Sequence, residues 1–186
     1  MRVVSGEFRG RRLNMVPGDT TRPTADKVKE SIFNMVGPYF EGGQALDLYA
    51  GTGGLGIEAV SRGMDHATLV DSAYQAVKTI KQNVQLLKAA DRFTVIKRSV
   101  QAACTALAAE HQQFDLVLMD PPYTQQRVLT ELANFVQLDL LKPGATVVVE
   151  TGMDVQYPDA ITGYRIRRLQ TYKVAQVLVL ERNEDA

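Results

Sequence analysis

Short apolar runs alternate with stretches of helical spacing through the middle of the chain, from residue 44 to residue 150. We predict five strands from the continuous apolar runs, at 45–49, 67–70, 93–96, 114–119 and 145–149. The segments between them repeat apolar residues every three or four positions, which predicts a helix ending near residue 61 and further helices over 74–87, 100–109 and 128–136. This alternation predicts an α/β fold with a mostly parallel sheet and helices on both faces.

The first 36 residues carry a different pattern. Residues 2–15 resemble two short strands around Gly6 to Gly10, which predicts a small β-hairpin arm. Residues 16–23 contain two prolines and a glycine and are predicted as a connector. A helix is expected over 25–36, with Thr24 as its N-cap.

The last part of the chain contains two further strand patterns, at 164–169 and 172–180, separated by Gln170 and Thr171. Two strands in immediate succession predict a hairpin that adds an antiparallel edge to the sheet. The expected organisation is an arm with its connector over 1–23, followed by one α/β domain over 24–186.

Composition narrows the class of protein. The chain has 186 residues with 21 basic and 21 acidic side chains, so its formal net charge is zero. Seven basic and four acidic residues in 1–36 leave that segment at +3, which is compatible with contact to phosphate. Cys104 is the only cysteine and there are two histidines, so neither an internal disulfide nor a metal cluster is expected. No apolar run or leader suggests a membrane or secretory protein, and we expect a cytoplasmic one.

A glycine-rich motif follows the first predicted strand. Its residues run Asp47-Leu-Tyr-Ala-Gly51-Thr52-Gly53-Gly-Leu-Gly56, and Asp71 follows Gly51 by 20 positions at the end of the next strand. Glycines allow a sharp turn and a close ligand, and the later carboxylate can accept hydrogen bonds from ribose hydroxyls. The pattern also fits a dinucleotide fingerprint, so it indicates an adenosine-type cofactor in general. Asp47 favours a cofactor with ammonium and sulfonium groups, because a carboxylate there would repel a pyrophosphate.

The motif Asp120-Pro121-Pro122-Tyr123 follows the fourth predicted strand. The prolines stiffen the loop, so the Asp120 carboxylate and the Pro121 carbonyl are held as two acceptors near one point. Two acceptors can hold both hydrogens of an aromatic amine and aim its lone pair at an electrophilic methyl group. Tyr123 offers a face on which an extruded base can stack.

Together, the two motifs resemble the class I methyltransferase fold, a Rossmann-like sandwich with a seven-stranded, mostly parallel sheet. The N-terminal sequence, Arg2 to Leu13 and Arg22 to Asn34, is similar to that of the RsmD family of bacterial 16S ribosomal RNA guanine-N2 methyltransferases, and Lys173-Val174-Ala175 also matches. The resemblance implies S-adenosylmethionine as cofactor and the assembled 30S subunit as substrate.

The same resemblance assigns roles to residues. The cofactor would be bound by Asp47, Gly51, Thr52, Gly53 and Asp71, and the guanine amine by Asp120 to Tyr123. RNA would be contacted by Arg9, Arg11 and Arg12 in the arm and by Arg22 and Thr24 near the catalytic mouth. Many class I enzymes have a carboxylate after the third strand, whereas this chain has Arg98-Ser99-Val100. We therefore expect the Ser99 hydroxyl or the Val100 backbone to bind adenine.

Three alternatives stay open at this point. Methylation of adenine N6 in DNA or RNA needs the same two acceptors. A nicotinamide-dependent dehydrogenase fits Gly51, Gly53, Gly56 and Asp71 but leaves Asp47 and the Asp120 loop unexplained. An RNA-binding assembly factor without catalysis would need no intact site. We expect a monomer, and the modified nucleotide and the stage of ribosome assembly do not follow from the sequence.

Overall fold

The computed structural model describes residues 1–18, 25–122 and 126–184. Its helices are α1 (Ala25–Val36), α2 (Gly54–Ser61), α3 (Tyr74–Leu86), α4 (Val100–Ala109) and α5 (Val128–Gln137), with a 3-10 turn at Ala90–Arg92. Its strands are β1 (Gln44–Leu48), β2 (His66–Asp71), β3 (Phe93–Lys97), β4 (Phe114–Met119), β5 (Leu141–Gly152), β6 (Tyr164–Thr171) and β7 (Ala175–Arg182).

The seven strands form one sheet in the order β3-β2-β1-β4-β5-β7-β6. The first five are parallel, whereas β7 runs antiparallel to β5 and β6 antiparallel to β7. Parallel strands connected through helices bring all their carboxyl ends to one edge of the sheet, called the carboxyl edge below. The predicted α/β architecture, the mostly parallel sheet and its antiparallel edge are confirmed.

Both faces of the sheet are covered by apolar side chains. On one face, Ile32 and Phe33 of α1 and Ile57 of α2 pack with β-strand residues such as Leu69 and Val148. The other face packs against α4 and α5 through a second cluster that includes Cys104, Leu107, Phe135, Leu46 and Leu178. Strands buried on two faces need no polar alternation, and this is why the central strands were visible as continuous apolar runs.

The largest differences from the predicted strand boundaries are in the fifth and seventh strands. The fifth strand extends beyond 145–149 to Leu141–Gly152, because Glu150 to Gly152 pair with β7 and an irregular register accommodates Pro143. The seventh strand begins at Ala175 and not at residue 172. Tyr172 lies in the turn, where its ring packs on the first core cluster and its hydroxyl contacts Ser31. Its apolar character therefore comes from tertiary packing rather than strand pairing.

The N-terminal segment, residues 1–18, is hairpin-like but lacks the two predicted strands. Its pairing is reduced to one isolated bridge, between Arg2 and Arg12, because the segment closes mainly on the body of the protein. Val3, Phe8 and Leu13 are buried, and the Phe8 amide donates to the Ser61 hydroxyl over 2.9 Å. The predicted arm is thus a docked segment in which side-chain burial replaces regular strand pairing.

A buried ionic cluster fastens this segment. Glu58 of α2 is fully buried and accepts hydrogen bonds from the backbone amides of Val4 and Ser5, at 2.9 and 3.0 Å. Its carboxylate also pairs with Lys29 of α1 at 3.3 Å and with Arg62 at 2.8 Å. Burial lowers the pKa of Lys29, opposed by the neighbouring Glu58 charge. The cluster therefore joins the N-terminal segment, α1 and α2 at one carboxylate.

Candidate active site

The turn from β1 to α2, residues 49–53, is called the glycine loop here. Tyr49, Gly51 and Gly53 all have positive φ, at 61°, 60° and 83°, so the chain reverses within five residues. A Cβ added at Gly51 would meet nothing within 4 Å, whereas one at Gly56 would lie 2.2 Å from the side chain of Leu69. Glycine thus leaves open space at position 51 and permits close packing of α2 on β2 at position 56.

Asp47 lies beneath the glycine loop with only 1% of its surface exposed. Its Oδ2 accepts a hydrogen bond from the Gly56 amide at 2.9 Å, while its Oδ1 is buried without a hydrogen-bond partner among the described residues. Burial raises the pKa of Asp47 to about 7, with a smaller contribution from the charge of Asp71, and the Gly56 hydrogen bond opposes the rise. A buried acceptor without a donor indicates a place for a cationic or hydrogen-bonding ligand.

Asp71 ends β2, the parallel neighbour of β1, and lies beside the same loop. Its Oδ2 accepts from the Gly51 amide and its Oδ1 from the Ala73 amide, both at 2.9 Å. These contacts fix the carboxylate against the glycine loop, and each oxygen retains a further lone pair for a ligand hydroxyl. The structure therefore brings the sequence-predicted Asp47, Gly51, Thr52, Gly53 and Asp71 together.

Ser99 and Val100 follow β3 on the same carboxyl edge, and the Arg98 amide donates to the Asp71 carbonyl at 3.2 Å. The Ser99 hydroxyl caps α4 by accepting from the Ala102 amide at 3.2 Å. As an acceptor it is therefore engaged, although its O–H can still donate. Val100 begins α4, where a backbone amide lacks an acceptor within the helix. The Val100 amide is thus the better placed donor for a ligand at this position.

The Asp120 loop starts beside the glycine loop. Leu48 pairs with Met119, so Tyr49 and Asp120 each follow the last paired residue of two adjacent strands. Asp120 and Pro122 are exposed, whereas Pro121 is buried and anchors the turn. Tyr123 lies outside the described residues. The two predicted motifs therefore begin one strand spacing apart, about 5 Å, at a single edge.

Three of the predicted RNA-contacting residues lie on the N-terminal segment. Arg9, Arg11 and Arg12 are exposed on the N-terminal segment, but neighbouring Phe8 packs beside Ser61, at the end of α2 farthest from the glycine loop. The eight residues of α2 span about 12 Å, so Arg9 lies well away from the carboxyl edge. Arg22 and Thr24 lie outside the described residues.

Two contacts of the site were not expected from the sequence. Asn83 of α3 is fully buried, and its Nδ2 donates to the Thr52 carbonyl at 2.9 Å, while its Oδ1 accepts from the Asn14 amide at 2.7 Å. The Thr52 hydroxyl donates to the Met1 sulfur at 3.3 Å. The N-terminal segment is thereby attached to the glycine loop. The available signal was Asn83 itself, a polar residue on the apolar face of its helix.

A third unforeseen contact joins Tyr49 to Glu131 of α5 through a hydrogen bond from the tyrosine hydroxyl. Burial raises the pKa of both groups above their ordinary values, and the hydrogen bond raises that of Tyr49 further. Burial also raises the pKa of the nearby Cys104 thiol to about 12, so that thiol remains protonated in the core. The pair ties the first residue of the glycine loop to the helix that follows the Asp120 loop.

Comparison with known proteins identifies the chain. The family model described as "Conserved hypothetical protein 95" matches residues 1–181. The chain belongs to this family. It is 40% identical to YlbH of Bacillus subtilis, covering 98% of this chain and 99% of that protein. It is 31% identical to ribosomal RNA small subunit methyltransferase D of Haemophilus influenzae, covering 83% of this chain and 80% of that protein.

The solved structure of yhhF from Escherichia coli, assigned as a methyltransferase, matches with a TM-score of 0.82, 27% identity and 98% coverage of each chain. The family's fold is that of class I methyltransferases, and the predicted resemblance to the RsmD family is confirmed. Within residues 1–18, 25–122 and 126–184, no helix has the length and apolar character needed to span a membrane. In the same ranges, no group of three or more His, Cys, Asp or Glu side chains could hold a metal ion.

Proposed function

We propose that this protein transfers a methyl group from S-adenosylmethionine to the exocyclic N2 of a guanine in 16S ribosomal RNA, within the assembled 30S subunit. Family membership supports the coarser statement, an S-adenosylmethionine-dependent ribosomal RNA methyltransferase, through relatives that carry that name. The observation that supports the chemistry is that the Asp120 loop starts beside the glycine loop, beneath which Asp47 has a buried oxygen with no hydrogen-bond partner among the described residues.

The residues present fit the proposed cofactor. The amino acid part of S-adenosylmethionine carries an ammonium group, which the buried Asp47 carboxylate can bind, and the space at Gly51 leaves room for the ligand backbone. Asp71 would accept from the ribose hydroxyls, and the Val100 amide or Ser99 hydroxyl would contact adenine. Thr52 and Gly53 complete the turn around the ligand. When bound, the cofactor supplies an electrophilic methyl group on a sulfonium.

The protein's own contribution to transfer is orientation and proton acceptance. The Asp120 carboxylate and the Pro121 carbonyl would each accept one hydrogen of the guanine amine, which turns the nitrogen lone pair toward the methyl group. Formation of the C–N bond would break the methyl–sulfur bond and leave a neutral thioether, and the nitrogen, made acidic by the transfer, would pass one of its protons to Asp120. Tyr123 would stack on the extruded base, and Pro122 would border it.

The remaining substrate contacts belong to the same proposal. Arg9, Arg11 and Arg12 would bind RNA phosphates at a distance from the site, and Arg22 and Thr24 would lie near its entrance. We further propose that the chain acts as a cytoplasmic monomer, with residues 1–23 serving RNA binding and 24–186 serving transfer.

The test uses labelled S-adenosylmethionine with small ribosomal subunits that lack this modification, and naked 16S RNA and duplex DNA are assayed in parallel. Nucleoside mass analysis should yield N2-methylguanosine mainly from subunits. Asp120→Asn should lower kcat by about a hundredfold or more, because one acceptor becomes a donor. Asp139→Asn is the matched control, since Asp139 is exposed and has a positive φ that asparagine tolerates.

Each of the other possible results would reject a particular part of the proposal. N6-methyladenine would reject guanine specificity and favour the adenine alternative with the same two acceptors. Full activity of Asp120→Asn would reject the proposed role of the Asp120 loop. Tight NADH binding without any response to S-adenosylmethionine would favour the dehydrogenase alternative instead.

A further inference from the structure

The edge strand β6 carries three arginines on one face of the sheet. Arg165 lies opposite Glu181 and Arg168 opposite Val179, which are two positions apart on β7 and therefore share a face. The register shifts between these pairs, so Arg167 is the extra residue of a β-bulge. A regular strand would place Arg168 on the opposite face from Arg165 and Arg167, and the bulge brings it to the same face.

Helices cover this face in the middle of the sheet, and in the part of the chain that the structure describes none of them covers β6. Val179 of β7 belongs to the core cluster that includes Ile32 and Phe33 of α1, so α1 covers the sheet up to β7. One strand farther out, the Arg165 side chain is 65% exposed and that of Arg167 is 38% exposed. The arginines thus lie on the exposed part of a sheet face that α1 covers as far as β7.

The positive charge on this surface is only partly balanced. Glu181 pairs with Arg165 at 3.0 Å and lies 3.9 Å from Arg167, so one carboxylate serves two guanidinium groups. Arg168 donates to the Gln170 side chain at 2.8 Å and, within the described part of the chain, forms no ion pair. An excess of exposed guanidinium groups favours phosphate, which they can bind with two parallel hydrogen bonds.

The turn between β6 and β7 carries a further cation to the carboxyl edge. Tyr172 fixes this turn, because its amide donates to the Ala175 carbonyl at 2.7 Å and its hydroxyl contacts Ser31 of α1. Lys173 and Val174 follow and are exposed. The next residue, Ala175, pairs with Gly152 at the end of β5.

The strand registers relate this turn to the Asp120 loop. Met119 pairs with Val149, so Asp120 lies level with residue 150 of β5, and the Gly152–Ala175 pair lies two positions beyond it. Lys173 therefore stands roughly 10 Å above the level of Asp120 and about 10–15 Å to its side, across β5 and β7. From Lys173 back to Arg165 the chain spans about 26 Å along β6, in the direction that leads away from the site.

We propose that Arg165, Arg167, Arg168 and Lys173, the basic edge, bind phosphates along the RNA strand that flanks the target base. This inference rests on the proposed function and assigns a second RNA-binding surface beside the site, separate from the arginines of the N-terminal segment. Lys173 holds the phosphate nearest the reacting base, and the three arginines hold the strand as it leaves the carboxyl edge. These contacts recognise the RNA backbone and not its base sequence, so they determine the affinity for RNA and the position in which it binds.

The experiment compares Arg167→Gln/Arg168→Gln with Lys78→Gln/Lys81→Gln, an equal charge change on exposed positions of α3 far from β6. KM and kcat for small subunits, and subunit binding, are measured between 50 and 200 mM salt, along with the Kd for S-adenosylhomocysteine. The β6 double variant should raise KM about tenfold and reduce the slope of log affinity against log salt by about 2, one per lost phosphate contact. The Kd for S-adenosylhomocysteine and kcat should stay unchanged, and Lys173→Gln should reduce the slope by about 1.

Replacement by lysine separates charge from fold. Arg167→Lys/Arg168→Lys keeps both charges and should retain most of the salt dependence of subunit binding. If the arginines only maintain the structure of the bulge, the lysine and the glutamine double variants should both be impaired. Charged edge strands also discourage pairing with other chains, and that role alone predicts lower solubility with an unchanged KM. The basic edge is rejected if the β6 and α3 double variants share the wild-type salt slope. A wild-type enzyme that binds subunits through the basic edge but methylates none would reject only the proposed function.

Discussion

Asp47 is expected to destabilise the ligand-free protein in a pH-dependent way. Its carboxyl is buried, one oxygen has no partner among the described residues, and its pKa is raised from 3.8 to about 7. A carboxyl with a raised pKa in the folded state binds protons more tightly there than in the unfolded chain. Its cost is therefore absent below about pH 4, grows as pH rises, and is complete above about pH 7.

The size of this effect follows from the shift. A shift of about three pKa units lowers the free energy of unfolding by about 4 kcal/mol once the carboxyl is ionised. Between pH 5 and pH 8, Asp47 alone should remove about 2–3 kcal/mol from the free energy of unfolding. Asp47→Asn has nearly the same shape and cannot ionise, so this part of the pH dependence should disappear.

Urea denaturation of the ligand-free protein at pH 5 and pH 8 measures the effect as a difference between wild type and variant. Asp47→Asn should be more stable than wild type at pH 8 by about 2–4 kcal/mol, and the two should approach each other at pH 5. Asp139→Asn controls for removal of a charge at the surface. Parallel pH profiles for wild type and Asp47→Asn would refute the assignment of a strained, buried carboxylate.

The same carboxylate should govern cofactor binding under the proposed function. A bound ammonium group favours ionised Asp47, so binding near pH 7 should release a proton and tighten as pH rises from 6 to 8. Calorimetry in buffers of different ionisation enthalpy detects that proton. Asp47→Asn should weaken binding by about 2–4 kcal/mol, making the variant more stable but less able to bind cofactor.

Two further predictions concern buried polar contacts. Glu58→Gln should lower the free energy of unfolding, measured by urea titration, by about 3–5 kcal/mol, because Lys29 and Arg62 stay buried without a counter-charge. Glu7→Gln is the control: it loses only a surface ion pair, so its free energy of unfolding should fall by less than about 1 kcal/mol. Asn83→Leu should cost about 2 kcal/mol by leaving a glycine-loop carbonyl unsatisfied, and S-adenosylhomocysteine should then raise Tm less than in wild type. An undiminished Tm increase would contradict the link between Asn83 and the cofactor site.

The fold was predictable to the extent that local pattern reflects burial. The central strands lie between two helical layers, so their apolar runs were evident without knowledge of partners. The prediction was wrong where pairing depends on distant residues. β5 is lengthened by β7, and Tyr172 contributes to a turn because it packs on α1, some 140 residues earlier in the chain. The docked N-terminal segment likewise depends on Glu58 and Ser61, which no local pattern connects to it.

The same distinction applies to the candidate site, where residues at strand ends were predictable and long-range contacts were not. Asp47, Gly51, Asp71 and Asp120 could be named from the sequence because each lies at the end of a strand or just after it, and parallel strands end at one edge. Their positions relative to one another follow from the order β2-β1-β4. The positioning role of Asn83 could not be inferred, because it depends on a contact between a helix and a loop 31 residues earlier.

A neutral net charge taken alone would argue against an RNA substrate, but the total says nothing of where the charges lie. Among the described residues, two acidic side chains, Asp47 and Glu58, and three basic ones, Lys29, Arg62 and Arg182, are buried, so the location of the exposed charges matters more than their sum. Two groups of exposed basic side chains lie on the N-terminal segment and on the edge strand β6. Under the proposed function, RNA bound along β6 meets a local excess of positive charge on a protein whose total is zero, and its binding should show a modest salt dependence set by those few contacts.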